Sequence, residues 1–495
     1  MERAIGNQDG AIIISQMRSV FLALLLAAGV APIRLYAQPS QPPRPTAGET
    51  AAYYFLLGRH FEGLGRFDEA VAAHKRAIEL EPESAELRAE LAGLYARQDK
   101  AIESLEMAEA ALKRDPDNLE ANRILGSIYA AFADQKQPLR PGDNPAQYMA
   151  RAVAALEKAR RPDLFDIGLE LTLGRLYVQS GAYDKAVPLL QRVVADQPGY
   201  SDGALLLANA QDGAGRLSDA VGTLESAVGN NPKFYRGYLR LGELYERQRE
   251  WAGAADAYAK AQALNGRAPL GGRRAAALIN AGRPAEARDI LQKSVNASKP
   301  GAEDPAELYL LAEALRALKE LPAAEATAQK ILARDSGDVR GLHVMSLILQ
   351  DKGDVKGAER MLRELIARDP LDGGALNSLG YMLAERGEKL EEAVDLLQRA
   401  LKIEPDNPSY LDSLGWAYFQ QGKVDLADGP LSSAAARLKE SSVVQDHLGD
   451  LRFRQQRFGD AAAAWERALA GDGQAIDRQK VEKKLRDARG RMESR

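Results

Sequence analysis

Apolar residues along most of this chain recur with the spacing of one face of a helix. Where the pattern begins, Tyr54, Leu57 and Phe61 stand at positions i, i+3 and i+7, which places their side chains on one side of an α-helix. The pattern pauses at Gly65 and resumes around Ala70. Such a pause predicts two short amphipathic helices joined by a tight turn. Because the same unit recurs, the sequence predicts an all-α fold.

A small residue lies inside the apolar face of each predicted helix, and most steps between its occurrences are 34 residues. In the first helix of each pair it is Gly58, Ala92, Gly126, Gly174, Ala208, Gly242, Ala276, Ala312, Ser346, Gly380, Gly415 and Gly449. In the second helix it is Ala70, Ser104, Ala152, Ala186, Ala220, Ala254, Ala324, Ala358, Ala393, Ala427 and Ala461. A small residue at this period indicates helix pairs stacked so closely that each needs a notch for its neighbour. We therefore predict about twelve helical hairpins between Ala51 and about residue 475, stacked as a solenoid.

Three interruptions divide the predicted array. The step from Gly126 to Gly174 is 48 residues, so the polar segment 133–147 is predicted to be a surface loop. Residues 265–305 have a poor first-helix pattern, and a single extra residue stands near Lys389. These breaks predict an N-terminal array at 51–268, an irregular joint at 269–304 and a C-terminal array at 305–475.

Residues 1–37 are predicted to be an N-terminal extension and an export signal. Met17 and Arg18 precede an apolar run, VFLALLLAAGV, of the length that signal peptides use. Cleavage before Gln38 would leave a proline-rich linker at 38–50. The alternative is an uncleaved anchor, although the apolar run is short of the roughly 20 residues that a membrane span needs. Whether translation begins at Met1 or Met17 stays open.

Residues 476–495 are predicted to form a helix that caps the last hairpin. Val481, Leu485 and Ala488 share one face, and most of the other residues are charged. A terminal helix of this kind covers the last repeat and keeps its outer side hydrated.

Composition excludes several classes of function. The chain has 66 basic and 70 acidic residues, interspersed, with a net charge of −4, so no nucleic-acid partner is expected. Cysteine is absent, which excludes disulfides, thiolate metal sites and a cysteine nucleophile. His60, His74, His343 and His447 are scattered and form no metal-binding spacing. We therefore predict no catalytic residue, no cofactor and no metal, and a protein that is not an enzyme.

The repeat resembles the tetratricopeptide repeat over more than four fifths of the chain, on the small residues given above. The resemblance implies a right-handed superhelical solenoid of helix-turn-helix repeats. It also implies that the first helices line an inner, concave side, where peptides or segments of partner proteins bind.

On that implied inner side, the C-terminal array carries aromatic and acidic residues at positions that the fold does not need to bury. We predict a partner-binding site formed by Asn377, Tyr381, Asp412, Trp416, Phe419, Asp446 and Asp450. Large exposed aromatic rings are typical of protein interfaces, and the carboxylates would hold polar atoms of a peptide. The alternative is that Trp416 and Phe419 fill the joint between adjacent repeats.

Three short segments carry a closer resemblance. They are NSLGY at 377–381, LDSLGW at 411–416 and DHLGD at 446–450. These segments are similar to the C-terminal repeats of bacterial envelope tetratricopeptide proteins. One branch of that group comprises outer-membrane lipoproteins that act as scaffolds for a carboxyl-terminal processing protease. This chain lacks the lipidated cysteine of that branch.

The sequence therefore predicts an exported scaffold, periplasmic or secreted, that binds protein or peptide segments, with a periplasmic protease as one candidate partner. Contact with a membrane is expected only through an uncleaved N-terminal anchor, which would tether the protein to the inner membrane. One alternative is a membrane-anchored accessory subunit of a polysaccharide or protein secretion system. Another is an enzyme whose site the sequence does not show. The partner's identity, the array that binds it and the oligomeric state stay open.

Overall fold

The computed structural model describes residues 50–135, 138–161, 163–267, 269–299, 301–473 and 476–493. Within these ranges there are 25 α-helices, one short 3-10 helix and no β-strand. The predicted all-α class is confirmed. The export signal predicted at 1–37 and nearly all of the linker lie outside the described residues.

The chain divides into two compact units, one up to Arg249 and one from Glu250 onward, except that residues 263–265 group with the first. The helices of unit 1 are α1 (Ala51–Gly63), α2 (Phe67–Leu80), α3 (Ala85–Arg97), α4 (Ala101–Leu112), α5 (Leu119–Ala133), α6 (Tyr148–Ala159), α7 (Ile167–Gln179), α8 (Tyr183–Asp196), α9 (Ser201–Gly213), α10 (Leu217–Asn230) and α11 (Tyr235–Gln248). The helices of unit 2 are α12 (Trp251–Leu264), α13 (Gly271–Asn280), α14 (Pro284–Ala297), α15 (Pro305–Ala317), α16 (Leu321–Arg334), α17 (Val339–Asp351), α18 (Val355–Arg368), α19 (Gly373–Glu385), α20 (Leu390–Ile403), α21 (Pro408–Gln420), α22 (Val424–Arg437), α23 (Ser442–Arg454), α24 (Phe458–Ala470) and α25 (Arg478–Glu493). Within each unit the two helices of a hairpin pack closely against each other, for example α1 against α2 and α19 against α20.

The small residue of each first helix lies where it crosses its hairpin partner. A Cβ atom added to Gly174 would lie 2.7 Å from Leu190, and one added to Gly415 would lie 2.5 Å from Leu431. The same crossing joins Gly58 to His74, Gly126 to Leu156, Gly380 to Leu397 and Gly449 to Trp465. Carbon atoms in contact are normally 3.5–4.0 Å apart. At these six crossings a Cβ atom would be crowded, so glycine allows the close approach there, and the 34-residue pattern correctly predicts a small residue.

The turn inside each hairpin contains one residue with a left-handed backbone. Glycine fills this place at Gly65, Gly181, Gly215, Gly282, Gly353, Gly387 and Gly422, with φ between 65° and 77°. Three other hairpins place Asp99, Lys319 and Gln456 there, with φ of 61°, 60° and 59°. Left-handed backbone is strained for residues that carry a Cβ, so hairpin packing imposes this conformation on them.

Acidic and amide side chains begin four of the first helices of unit 2. Their Oδ1 atoms accept hydrogen bonds from backbone N–H groups of the first turn, which have no partner within the helix. These N-cap residues are Asp304, Asp338, Asp372 and Asn407.

The interruptions in the pattern have distinct structures. The described part of the predicted loop, residues 134–135 and 138–144, is not helical, and it is followed by the 3-10 helix Pro145–Gln147 before α6 begins at Tyr148. The segment predicted as an irregular joint holds the hairpin α13–α14, whose first helix has 10 residues. The extra residue near Lys389 is taken up at the start of α20, where Lys389 has φ 45°. The proposed array boundaries at 268 and 305 stay a prediction.

The C-terminal helix α25 packs on the last hairpin as the sequence predicts. Val481, Leu485 and Ala488 are buried, and they form one apolar cluster with Trp465 and Ala468 of α24. Among the described residues, no helix combines the length and the apolar character that crossing a lipid bilayer requires.

Candidate protein-binding face

The predicted binding residues lie on three helices in the C-terminal part of unit 2, α19, α21 and α23. We define the first-helix face as the surface that α19, α21, α23 and α25 contribute. Helices α19 and α21 pack against each other, as do α21 and α23. On α19, Asn377, Tyr381 and Glu385 follow at intervals of four residues, so they share one side of the helix.

A buried ion pair joins α21 to α23. His447 Nδ1 lies 3.1 Å from both carboxylate oxygens of Asp412, and the two residues are 4% and 6% exposed. The other ring nitrogen, Nε2, lies 4.0 Å from Glu385 Oε1 on α19. The imidazole of His447 therefore connects three successive first helices.

Aromatic rings stack beside this ion pair. The Trp416 ring lies parallel to the His447 ring at a centroid distance of 4.0 Å and to the Phe419 ring at 5.1 Å. Tyr381 approaches His447 at 6.2 Å. The guanidinium of Arg454 lies over the outer ring of the stack, 5.6 Å from the Phe419 centroid. The stack therefore runs from the buried imidazole outward to an exposed guanidinium.

A lysine of the C-terminal helix neutralises two carboxylates of α23. Lys484 Nζ lies 2.9 Å from Asp446 Oδ1 and 2.8 Å from Asp450 Oδ2. Both carboxylates are partly buried, with side chains 17% and 19% exposed. A buried carboxylate is costly unless it is paired, so this contact helps to hold α25 in place.

The charges of the face shift the pKa values of its members. Burial alone lowers the pKa of His447, but the carboxylates of Asp412, Glu385 and Asp446 outweigh it and raise that pKa above the ordinary value. Burial raises the pKa of Asp450, and Lys484 opposes this shift. The face thus combines several carboxylates with the cations Lys484 and Arg454 and with His447, whose pKa is raised.

Comparison with known proteins identifies a family that parts of the chain match. Two family models, both described as tetratricopeptide repeat, match the chain, one at residues 63–128 and 177–242 and the other at 344–408 and 388–439. These segments are tetratricopeptide repeats. They lie in both units, and the last of them contain α19 and α21 of the first-helix face.

A tetratricopeptide repeat protein of Pseudomonas aeruginosa is 36% identical over 214 residues, which are 43% of this chain and 36% of that protein. The match thus spans little more than a third of the relative's length. Among solved structures, yeast Tom70 is 15% identical with a TM-score of 0.43, covering 90% of this chain and 96% of that chain. A Thermus thermophilus tetratricopeptide repeat protein is 25% identical with a TM-score of 0.26, covering 39% of this chain and 98% of that chain.

Two of the seven predicted binding residues are not accessible as expected. Trp416 is 8% exposed and Asp412 is 6% exposed, because His447 of the next hairpin covers them. The expectation that these two side chains project from the inner side is wrong. For Trp416 the alternative, a ring that fills the joint between repeats, is the one that the structure supports.

The other five predicted residues are half-buried, and they fall into separate contacts. Asp446 and Asp450 share Lys484, and Phe419 stacks on Trp416. These residues remain candidates for contact with a partner. Asn377 forms no hydrogen bond with the other six among the described residues, and its Oδ1 atom is buried without a partner there.

Sequence reasoning missed the residues that complete the face. Glu385, Arg454 and Lys484 were not predicted, and His447 was assigned no particular role. A signal existed for His447, because it follows Asp412 by 35 residues, one repeat plus one position. For Lys484 no repeat register was available, since α25 lies beyond the last hairpin.

Proposed function

We propose that this protein is a scaffold that binds a segment of another protein on the first-helix face of unit 2. Tetratricopeptide repeats are protein–protein interaction modules, and the matched segments include the α19 and α21 part of this face. The observation that carries the proposal is the set of partly accessible aromatic rings beside carboxylates. Tyr381, Phe419 and Phe453 are only half-buried, whereas most large apolar side chains of the array lie inside it.

The role of the face is recognition and not catalysis. Rigid helices hold its side chains before a partner arrives, so little conformational entropy is lost on binding. A segment lying across α19, α21 and α23 would cover the rings and set its own polar groups against Glu385 and Asp446.

Site-specific cross-linking tests this function. A photoreactive p-benzoylphenylalanine is placed at Tyr381 or Phe419, and at the exposed Asp395 on α20 as a matched control, in the full chain within its native cells. We expect protein adducts at the first two positions and not at the control. Equal labelling at all three positions would show that the face is not a binding surface.

We also propose that the scaffold works outside the cytoplasm, in the periplasm or as a secreted protein. The support is the apolar run at 20–30, which follows Arg18 and precedes Gln38. The N-terminal residue of the mature protein, read by mass spectrometry, tests this proposal. A mature chain that starts at Met1 or Met17 and sediments with membranes would instead support the anchor.

A carboxyl-terminal processing protease is the partner that the resemblance of segments 377–381, 411–416 and 446–450 suggests. The burial of Asp412 and Trp416 provides a packing reason for the middle segment, so the support comes mainly from the other two. Co-purification of such a protease with the wild-type chain, and its loss in a Tyr381→Ala variant, would test this partner.

A further inference from the structure

A cavity of about 670 Å³ lies at the end of the first-helix face, lined by residues of α21, α23, α24 and α25. Its apolar part consists of Phe419, Phe453 and Phe458, backed by the buried Trp465. The Phe453 ring lies 5.2 Å from the Phe458 ring and 5.7 Å from Trp465. We call this cavity the C-terminal pocket. Its volume falls within the roughly 300–1,000 Å³ of ligand-binding cavities.

The charged rim of the C-terminal pocket has an excess of cations. Arg454, Lys484 and Arg491 line it, together with Asp450 and Asp487. Lys484 is already shared between Asp450 and Asp446. The two arginines are exposed, and among the described residues neither has a carboxylate within ion-pair distance.

The guanidinium of Arg454 is positioned to bind an anion. Its contact with the Phe419 ring, at 5.6 Å from the centroid, orients the planar group. Such stacking leaves the N–H groups at the edge of the guanidinium available. Arginine N–H groups match the two oxygens of a carboxylate. The pocket thus combines an aromatic floor with donors for one carboxylate at its rim.

The neighbouring acids limit how much negative charge the site accepts. Glu385, Asp446 and Asp450 lie along the same face, and Asp487 is at the rim. A polyanion such as a nucleic acid would meet these carboxylates and be repelled. A single carboxylate next to an apolar side chain avoids that repulsion.

We propose that the C-terminal pocket binds a protein segment in which an aromatic or leucine side chain is followed within two or three residues by Asp or Glu. This inference rests on the proposed scaffold function and names the chemistry of its partner. The apolar side chain occupies the space between the three phenylalanine rings, where an aromatic residue buries 150–250 Å². The acidic side chain pairs with Arg454 and Arg491.

Binding of synthetic peptides to the purified full chain tests the proposal. The probe is the fluorescein-labelled peptide GSGSFSESGS with both ends blocked, measured by fluorescence anisotropy. We expect the Kd to rise about tenfold when Gln replaces its Glu, because a charge-assisted hydrogen bond is lost. Replacing its Phe with Ser should abolish binding.

Variants of the chain assign the effect to the pocket. In Arg454→Gln with Arg491→Gln, the Glu and Gln peptides should bind with equal affinity, while far-UV circular dichroism stays unchanged. Arg489→Gln is the matched control. Arg489 is on the same helix as Arg491, but it pairs with Glu466 at 2.7 Å and does not line the pocket. This control should retain the tenfold preference.

Several results would overturn the inference. They are absence of peptide binding to the wild-type chain, equal affinity for the Glu and Gln peptides, tighter binding of a peptide whose only carboxylate is its free C-terminus, and tighter binding of a single-stranded oligonucleotide. Cross-links at Tyr381 and Phe419 without peptide binding would refute only this inference. Absence of the cross-links would refute the scaffold function itself.

Discussion

Replacing Gly380 with alanine tests the helix crossing on which the fold depends. The added Cβ would lie 2.6 Å from Leu397 Cγ and 3.1 Å from the backbone oxygen of Ala393. Because carbon contacts are normally 3.5–4.0 Å, Leu397 or the α20 backbone must move by about 1 Å. Overpacking of this kind costs about 1–3 kcal/mol, whereas alanine gains about 1 kcal/mol over glycine in helix propensity.

The propensity gain can be measured separately at a matched glycine. Gly222 lies within α10, is exposed, and would place a Cβ with no atom within 4 Å. Gly222→Ala should therefore stabilise its hairpin by about 1 kcal/mol. The difference between the two substitutions isolates the overpacking cost at Gly380, which we expect to be about 1–3 kcal/mol.

Hydrogen–deuterium exchange is the suitable assay, because repeat arrays open locally and a global unfolding curve averages over hairpins. Exchange in peptides from α19 and α20 should quicken in Gly380→Ala, while peptides from unit 1 stay unchanged. Adding Leu397→Ala should relieve part of the clash, so the double variant should be less destabilised than the sum of the single effects. Strict additivity, or equal effects at Gly380 and Gly222, would refute the predicted crossing.

Three further predictions concern two buried histidines and one turn residue with a strained backbone. His74 is 1% exposed, and neither ring nitrogen forms a hydrogen bond among the described residues. Because burial lowers the pKa of His74, its hairpin should lose stability as the pH falls below about 6.5. Hydrogen–deuterium exchange measured across pH should show that His74→Leu removes this loss. The pH dependence of stability at His447 has the opposite sign, because its pKa is raised in the folded chain. The stability it contributes is complete below about pH 6.5 and is lost as the pH rises through the pKa of the folded state. Asp412→Asn should abolish this dependence and destabilise α23 by about 3 kcal/mol. Asp99→Gly should raise the local stability of its hairpin by about 1 kcal/mol in the same assay, because glycine accepts φ 61° without strain, and no change would mean that the turn is unstrained.

The sequence predicted the hairpins because their determinants are local and periodic. Glycine at 380 is required within one hairpin, and its place in the 34-residue pattern identifies it. The same reasoning failed for Trp416, because its burial depends on the His447 ring of the next repeat. A helical face deduced from one helix alone does not show which side chains of the neighbouring helix cover it. The contact became visible only once α21 and α23 were placed side by side.

Residues of the site could be predicted only where they occupy equivalent positions of the 34-residue repeat. Asp446 and Asp450 were identified from their positions in the last repeat, but their counter-ion Lys484 lies on a helix that follows no repeat. The pairing of Asp412 with His447 needed knowledge that positions one repeat and one residue apart meet across adjacent helices. Side chains that act across repeats therefore require the stacking geometry and not the pattern alone.

The docking of α25 has a practical consequence for shortened forms of the protein. Trp465 and Ala468 are buried against Val481, Leu485 and Ala488. A chain cut before Arg478 would present this apolar surface to water, and exposed apolar patches of this kind promote self-association. Truncated forms are therefore expected to aggregate. A loss of binding in them would be caused by insolubility and could not be assigned to the absence of Arg491.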